Sequence, residues 1–165
     1  VEDFERLYKE YYPRVYAFLY KLSHDHELTE EMVQDTFYEL YKSIHKYNGS
    51  CKLFTFIAAI AKNVYFKYVR KNRIEYIDIE LVKELEDISD TPEEACLRSF
   101  KSRKIRNVID KLPPKYRDVI LLRIYADLTF ADVAAALDIS TCSAKVIFHR
   151  AKKILSEELF DENDM

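Results

Sequence analysis

A chain of 165 residues with a single glycine cannot build a nucleotide-cradling loop, because such loops need several backbone positions free of a side chain and Gly49 stands alone. Cys51, Cys96 and Cys142 are far apart and lack Cys-x-x-Cys spacing, which argues against a disulfide framework or a zinc site and for reduced thiols. The formal net charge of −3 argues against simple coating of nucleic acid, which relies on a basic excess.

The length suits either one compact domain or two small ones. Abundant Leu, Ile, Lys, Glu and Tyr with few helix breakers favour an all-α fold of helices linked by short turns. No signal-peptide core is visible, and no apolar run approaches the roughly 20 residues needed to span a bilayer. The expectation is a soluble, cytoplasmic protein without membrane insertion.

In the first helix Phe4, Leu7, Tyr8, Tyr11, Val15, Phe18, Leu19 and Leu22 recur at three- and four-residue steps, so one face is buried; Pro13 is expected to kink or divide it. Asp25 is placed to cap a second helix with the stripe Met32, Val33, Thr36, Phe37, Leu40, Tyr41 and Ile44, ending near Asn48-Gly49-Ser50. A third helix carries Phe56, Ile57, Ile60, Val64 and Tyr68 on one side, with Lys62, Asn63, Lys67, Arg70 and Lys71 elsewhere on its surface. Residues 1–71 thus read as an N-terminal helical domain.

From Asn72 the periodicity weakens and acids gather (Glu75, Asp78, Glu80, Glu84, Glu86, Asp87 and Asp90), so 72–91 reads as an acidic linker. Thr91-Pro92-Glu93-Glu94 then offers an N-cap, a proline at the first helical position and a capping-box glutamate, opening a helix that runs to about Leu112. Pro113-Pro114 breaks it. Lys115 to Tyr125 reads as another helix, with Val119, Ile120, Leu122 and Ile124 mostly inward.

Thr129 to Leu137 reads as a short supporting helix with Thr129 at its N-cap. Asp138-Ile139-Ser140 is the turn, and Ser140 caps a second helix in which Ala144, Phe148, Ala151 and Leu155 share one side. Between Ser140 and Lys153 the charged residues are Lys145, Arg150, Lys152 and Lys153, all basic. Such a pair is the build of a helix-turn-helix, whose second helix enters the major groove. Ser140, Thr141, Ser143, Lys145, Val146, His149 and Arg150 are the candidate DNA-contacting residues in 92–165.

The stretch "LPPKYRDVILLRIYADLTFADVAAALDISTCSAKVIFHRAKKIL" closely resembles the promoter-recognition domain of bacterial sigma factors of the extracytoplasmic-function type. "TEEMVQDTFYELYKSIHKY" and "TFIAAIAKNVYFKYVRK" resemble that family's N-terminal domain, in the right order. The resemblance implies two small helical domains joined by an acidic linker that threads the polymerase's basic channel. It also implies a non-catalytic factor that binds core RNA polymerase through the clamp helices and flap. Such a factor recognises double- and single-stranded promoter DNA, helps to open it, and answers to an anti-sigma factor.

By the same resemblance Gln34, Asp35, Tyr38, Glu39 and Lys42 fall in the polymerase-binding segment. The loop Tyr47 to Leu53, with Asn48 as its candidate reader, captures a flipped base of the minus-ten element, and Lys62, Asn63, Lys67, Arg70 and Lys71 contact promoter DNA and the separated strand. This sequence departs from the family's pattern in several places. Phe56 stands where many relatives have Trp and Lys67 where many have Asp. Asp138 and Cys142 stand where glycine is common and Ile147 where Arg is, which predicts weak or altered minus-thirty-five readout.

His24, His26, His45 and His149 form no ligand set, so no metal and no cofactor are expected. No acid–base or nucleophile constellation marks an enzyme. The competing reading is a helix-turn-helix activator or repressor that never joins polymerase.

Overall fold

The computed structural model describes residues 2–71 and 103–161. The acidic linker, the Thr91 cap and Cys96 lie outside the described residues. Helix α1 (Glu2–Ser23) is followed by α2 (His26–Ser43), a 3-10 turn (Ile44–Lys46) and α3 (Leu53–Arg70). After the break come α4 (103–111), α5 (Pro114–Ile120) continuing into a π-helical turn (Leu121–Tyr125), α6 (Phe130–Leu137) and α7 (Thr141–Asp161). The described residues are helices and connections, without a strand.

The N-terminal three helices close around Val15, Phe18, Leu19 and Leu22 of α1, Met32, Val33, Phe37 and Leu40 of α2, and Ile57, Ala58, Ala61 and Tyr65 of α3, all buried. Asp25 caps α2 as its position predicts, its Oδ1 accepting from the Leu28 amide at 2.9 Å. Pro13 does not divide α1, which runs unbroken through it. A proline costs an interior helix one backbone hydrogen bond. The buried Val15, Phe18, Leu19 and Leu22 that follow hold the second half of α1 in the same helix.

Two expected core positions face water instead. Tyr41 is 64 % exposed and meets Phe4 edge-on at its rim, with ring centroids 5.3 Å apart. Ile124 is 50 % exposed because the π-helical turn inserts an extra residue per turn and rotates the register, so that Leu121 and Leu122 fill the core and Ile124 swings out.

The second half packs Ile109, Leu112, Val119 to Leu122, Val133, Ala134, Ala144, Ala151 and Leu155. The two halves are not separate bodies, since their buried apolar residues form one contiguous cluster. The π-helical turn packs on α1 and α3, and α6 packs on α3.

Candidate nucleic-acid interface

The hairpin of α6 and α7 is set by local chemistry. Thr129 Oγ1 accepts from the Asp132 amide at 3.1 Å, Ser140 Oγ accepts from the Ser143 amide at 3.0 Å, and the turn is residues 138–140. Asp138 sits at φ 55, the left-handed conformation that Asp tolerates better than most side chains. Its place at a position where glycine is common therefore leaves the turn intact.

Ala144, Ala151 and Leu155 anchor α7 in the core, with Phe148 half-buried edge-on to Phe130 at 5.3 Å. Ser140, Thr141, Ser143, Lys145, Val146, His149 and Arg150 are all exposed, a continuous polar and basic face at the N-terminal half of α7. Ile147 is half-buried and packs on the core, so it serves the hairpin rather than standing as a blank DNA contact. Lys145→Ala and Arg150→Ala should each weaken binding to mixed-sequence duplex about equally for all sequences. Each should also lower the slope of log affinity against log salt by about one; an unchanged slope in a salt titration removes that residue from the phosphate contacts.

Between α2 and α3 lies a groove with Asp35, Tyr38 and Glu39 on one wall and Asn63, Lys67 and Arg70 on the other. The residues expected to touch polymerase and those expected to touch the minus-ten DNA are therefore adjacent, which their separation in sequence conceals. Gln34, Tyr38, Glu39, Lys42, Asn63, Lys67, Arg70 and Lys71 are exposed, and Tyr38 is 62 % exposed. Lys42 pairs with Glu39 at 3.0 Å and lies 4.7 Å from the Tyr38 ring centroid, and its hydrogen bond to Glu39 raises its pKa. Asp35 is half-buried, its Oδ2 accepting from the Tyr68 hydroxyl at 2.6 Å, so it braces the groove from within.

The loop between α2 and α3 is ordered by its own side chains. Asn48 Oδ1 accepts from the Ser50 amide at 3.0 Å, and the Tyr47 hydroxyl donates to the Cys51 carbonyl. Gly49 holds φ +79, which a side chain would strain. Asn48 is exposed. Phe56 is half-buried and packs on Tyr47, with ring centroids 5.4 Å apart.

Lys62 contradicts its expected surface position. It is 8 % exposed, and its Nζ donates to Asp118 Oδ2 at 3.0 Å. Helical periodicity does place it off the apolar stripe of α3, but the second half of the chain covers that side, and a buried ammonium is tolerated only when paired. The neighbouring Asp110 also escaped the sequence reading. Its carboxylate accepts from the Tyr65 hydroxyl at 3.1 and 3.2 Å, and its pKa is pushed up to about 6, burial outweighing the opposing effects of that hydrogen bond and of Arg106 and Arg117.

A basic recognition helix braced by its hairpin, joined through a shared core to a three-helix bundle, defines a helix-turn-helix DNA-binding protein. Sigma-70 region 2 matches residues 7–74 and Sigma-70 region 4 matches residues 102–155. The chain belongs to the sigma-70 family of RNA polymerase sigma factors, in its extracytoplasmic-function group.

It is 25 % identical over 161 residues to the RNA polymerase sigma factor YlaC of Bacillus subtilis, covering 96 % of this chain and 92 % of that one. It is 27 % identical over 173 residues to the ECF RNA polymerase sigma factor SigX of the same organism, covering 98 % and 89 %. Among solved structures, CnrH in complex with the cytosolic domain of CnrY shares the fold with a TM-score of 0.61 at 17 % identity, covering 96 % of this chain and 88 % of that one. The sigma factor RpoE of Bartonella quintana, in complex with the anti-sigma factor NepR, gives a TM-score of 0.58 at 19 % identity, covering 96 % and 98 %. No described helix is long and apolar enough to cross a membrane, and no described cluster of His, Cys, Asp and Glu could hold a metal ion.

Proposed function

We propose that the chain joins core RNA polymerase in the cytoplasm, brings it to promoters and helps to open the DNA, without catalysing a bond change itself. The observation that carries this is the co-ordered pair of region 2 and region 4 matches, with the DNA-facing side of the recognition helix left exposed. Gln34, Tyr38, Glu39 and Lys42 form the polymerase contact, with Asp35 supporting it. Asn63, Lys67, Arg70 and Lys71 follow the minus-ten strand. Ser140, Thr141, Ser143, Lys145, Val146, His149 and Arg150 read the minus-thirty-five duplex. The domain boundaries of this reading are 1–71, a linker 72–91 and 92–165. The complexes of the solved relatives support an anti-sigma factor as a further partner. A regulator that never joins polymerase is not favoured, because it leaves the region 2 match without a role.

The direct test mixes the purified chain with bacterial core RNA polymerase and a random promoter library, and sequences the transcripts. Initiation at a fixed distance from a shared two-element motif is the expected outcome; duplex binding with no polymerase-dependent initiation would overturn it. Within that assay Asn48 has a sharper test. Asn48→Asp keeps an acceptor for the Ser50 amide but removes the amide donor, so it should change base preference at one minus-ten position while preserving the loop. A promoter logo identical to that of the unmodified chain at every position would take Asn48 out of base reading.

A further inference from the structure

Ala144, Ala151 and Leu155 fix the inward side of α7. At about 100° per residue, Cys142, Val146 and His149 fall opposite them, on the ridge that enters deepest when such a helix lies in a major groove. Lys145 and Arg150 stand on the two flanks of that ridge, nearer the phosphates of the groove walls. All five are exposed. Charge therefore sits at the sides of the ridge, and an aliphatic side chain occupies its middle.

Val146 has no packing task within the chain. It is 42 % exposed, whereas Ile147 beside it is half-buried and packs on the core. Among the described residues of α7 no other large apolar side chain is so exposed. A β-branched residue is also a weaker helix former than the Ala, Lys and Arg around it. What it supplies is a pair of methyl groups held by the helix in one strongly preferred rotamer, so that little freedom is lost when they meet a surface.

The basic flanks suit a polyanionic duplex on either side of this methyl pair. Within a major groove, an alkyl group can favour one feature of the base edges, the 5-methyl group of a pyrimidine. Guanine, adenine and the amino group of cytosine present polar atoms, which Val146 would strip of water without pairing them. We propose that Val146 selects one position of the minus-thirty-five element by its 5-methylpyrimidine, a thymine or a 5-methylcytosine on either strand. The proposal rests on the reading of α7 as the minus-thirty-five helix. It makes the ridge a reader of methyl groups while the flanks hold phosphates, and it makes methylation of a cytosine at that position strengthen binding.

The test uses holoenzyme assembled from the full chain and bacterial core RNA polymerase, on promoter duplexes taken from the library selection. Each thymine of the upstream element is replaced in turn by deoxyuridine, which removes the methyl group alone, and binding is measured by competition with the unmodified promoter. One replacement is expected to weaken binding about fourfold, the effect of one methyl group left without its apolar contact; deoxyuridine in the spacer should have no effect. Val146→Ala should weaken binding to the thymine promoter by a similar factor and show no further loss at the sensitive position, because both truncations remove the same contact. At that position 5-methylcytosine should bind about fourfold better than cytosine, and only when Val146 is present. Val146 lies outside the core, so Val146→Ala keeps the fold, and the base replacements leave the protein untouched.

An upstream element that holds no A·T pair, or whose thymines are all insensitive to loss of the methyl group, overturns the methyl contact while leaving the sigma-factor reading in place. Sensitivity that survives Val146→Ala also overturns it, by assigning the methyl group to another side chain or to the shape of the duplex. Initiation that ignores a scrambled upstream element removes α7 from promoter reading, and the methyl contact with it.

Discussion

Replacing Gln34 and Tyr38 together by alanine is expected to weaken binding to core RNA polymerase by at least about 100-fold, the effect of losing a central aromatic hot spot and its polar neighbour. Tyr38 is the reason for the size of the effect. A large aromatic side chain that is 62 % exposed on a helix is costly to leave in water and gives much when a partner covers it. Both side chains lie off the buried face of α2, which is made by Met32, Val33, Thr36, Phe37 and Leu40. Helicity and melting temperature should therefore be retained while affinity falls, and a titration of labelled chain against core polymerase checks it. Full affinity in the double variant would move the polymerase contact away from this groove. Asp35 is left out of the test deliberately, because Asp35→Ala would also remove the hydrogen bond from the Tyr68 hydroxyl and confuse lost folding with lost binding.

Asp110→Asn is expected to stabilise the protein at pH 7.5, by up to about 3 kcal/mol for a shift of roughly two pKa units. Asp110 has its pKa pushed up to about 6 from 3.8, with burial as the largest cause. An acid whose pKa is raised on folding binds its proton more readily in the native state. Its favourable contribution is thus complete below about pH 4 and is lost as the pH rises through 6. Asparagine has the neutral form at every pH and still offers an acceptor to Tyr65. The gain over the unmodified chain should therefore shrink below pH 6 and nearly vanish at pH 4, as followed by melting temperature across that range. His24 acts in the opposite sense, since burial first and Arg106 second lower its pKa and make it resist protonation. It is present in both proteins and cancels in the difference. A variant no more stable than the parent at pH 7.5 would show that Asp110 is solvated, and with it that the modules do not close over this carboxylate.

Much of the local structure was legible from residue order alone. Asp25, Thr129 and Ser140 cap the helices their positions predict, because a cap needs only a side-chain oxygen within three residues of an unpaired amide. The recognition helix was legible for a similar reason: Ala144, Phe148, Ala151 and Leu155 at helical spacing leave Lys145, Val146, His149 and Arg150 on the outer face whatever α7 packs against. Ile124 was misjudged where packing over many residues overrides a local preference, the π-helical turn rotating it outward, and of the two outcomes open at Pro13 the division of α1 is absent.

The sequence by itself thus determined the helices, their caps, the hairpin that presents α7 and the family to which the chain belongs, all of which depend on neighbours a few residues apart. Only the tertiary structure decided that Lys62 is buried against Asp118, that Asp110 is desolvated beside Tyr65, and that the proposed polymerase and minus-ten residues share one groove. Those facts join residues 45 to 56 positions apart, or two helices with a loop between them. A charge pattern along one helix records which side is polar, but not whether that side will meet water, DNA or the other half of the same chain.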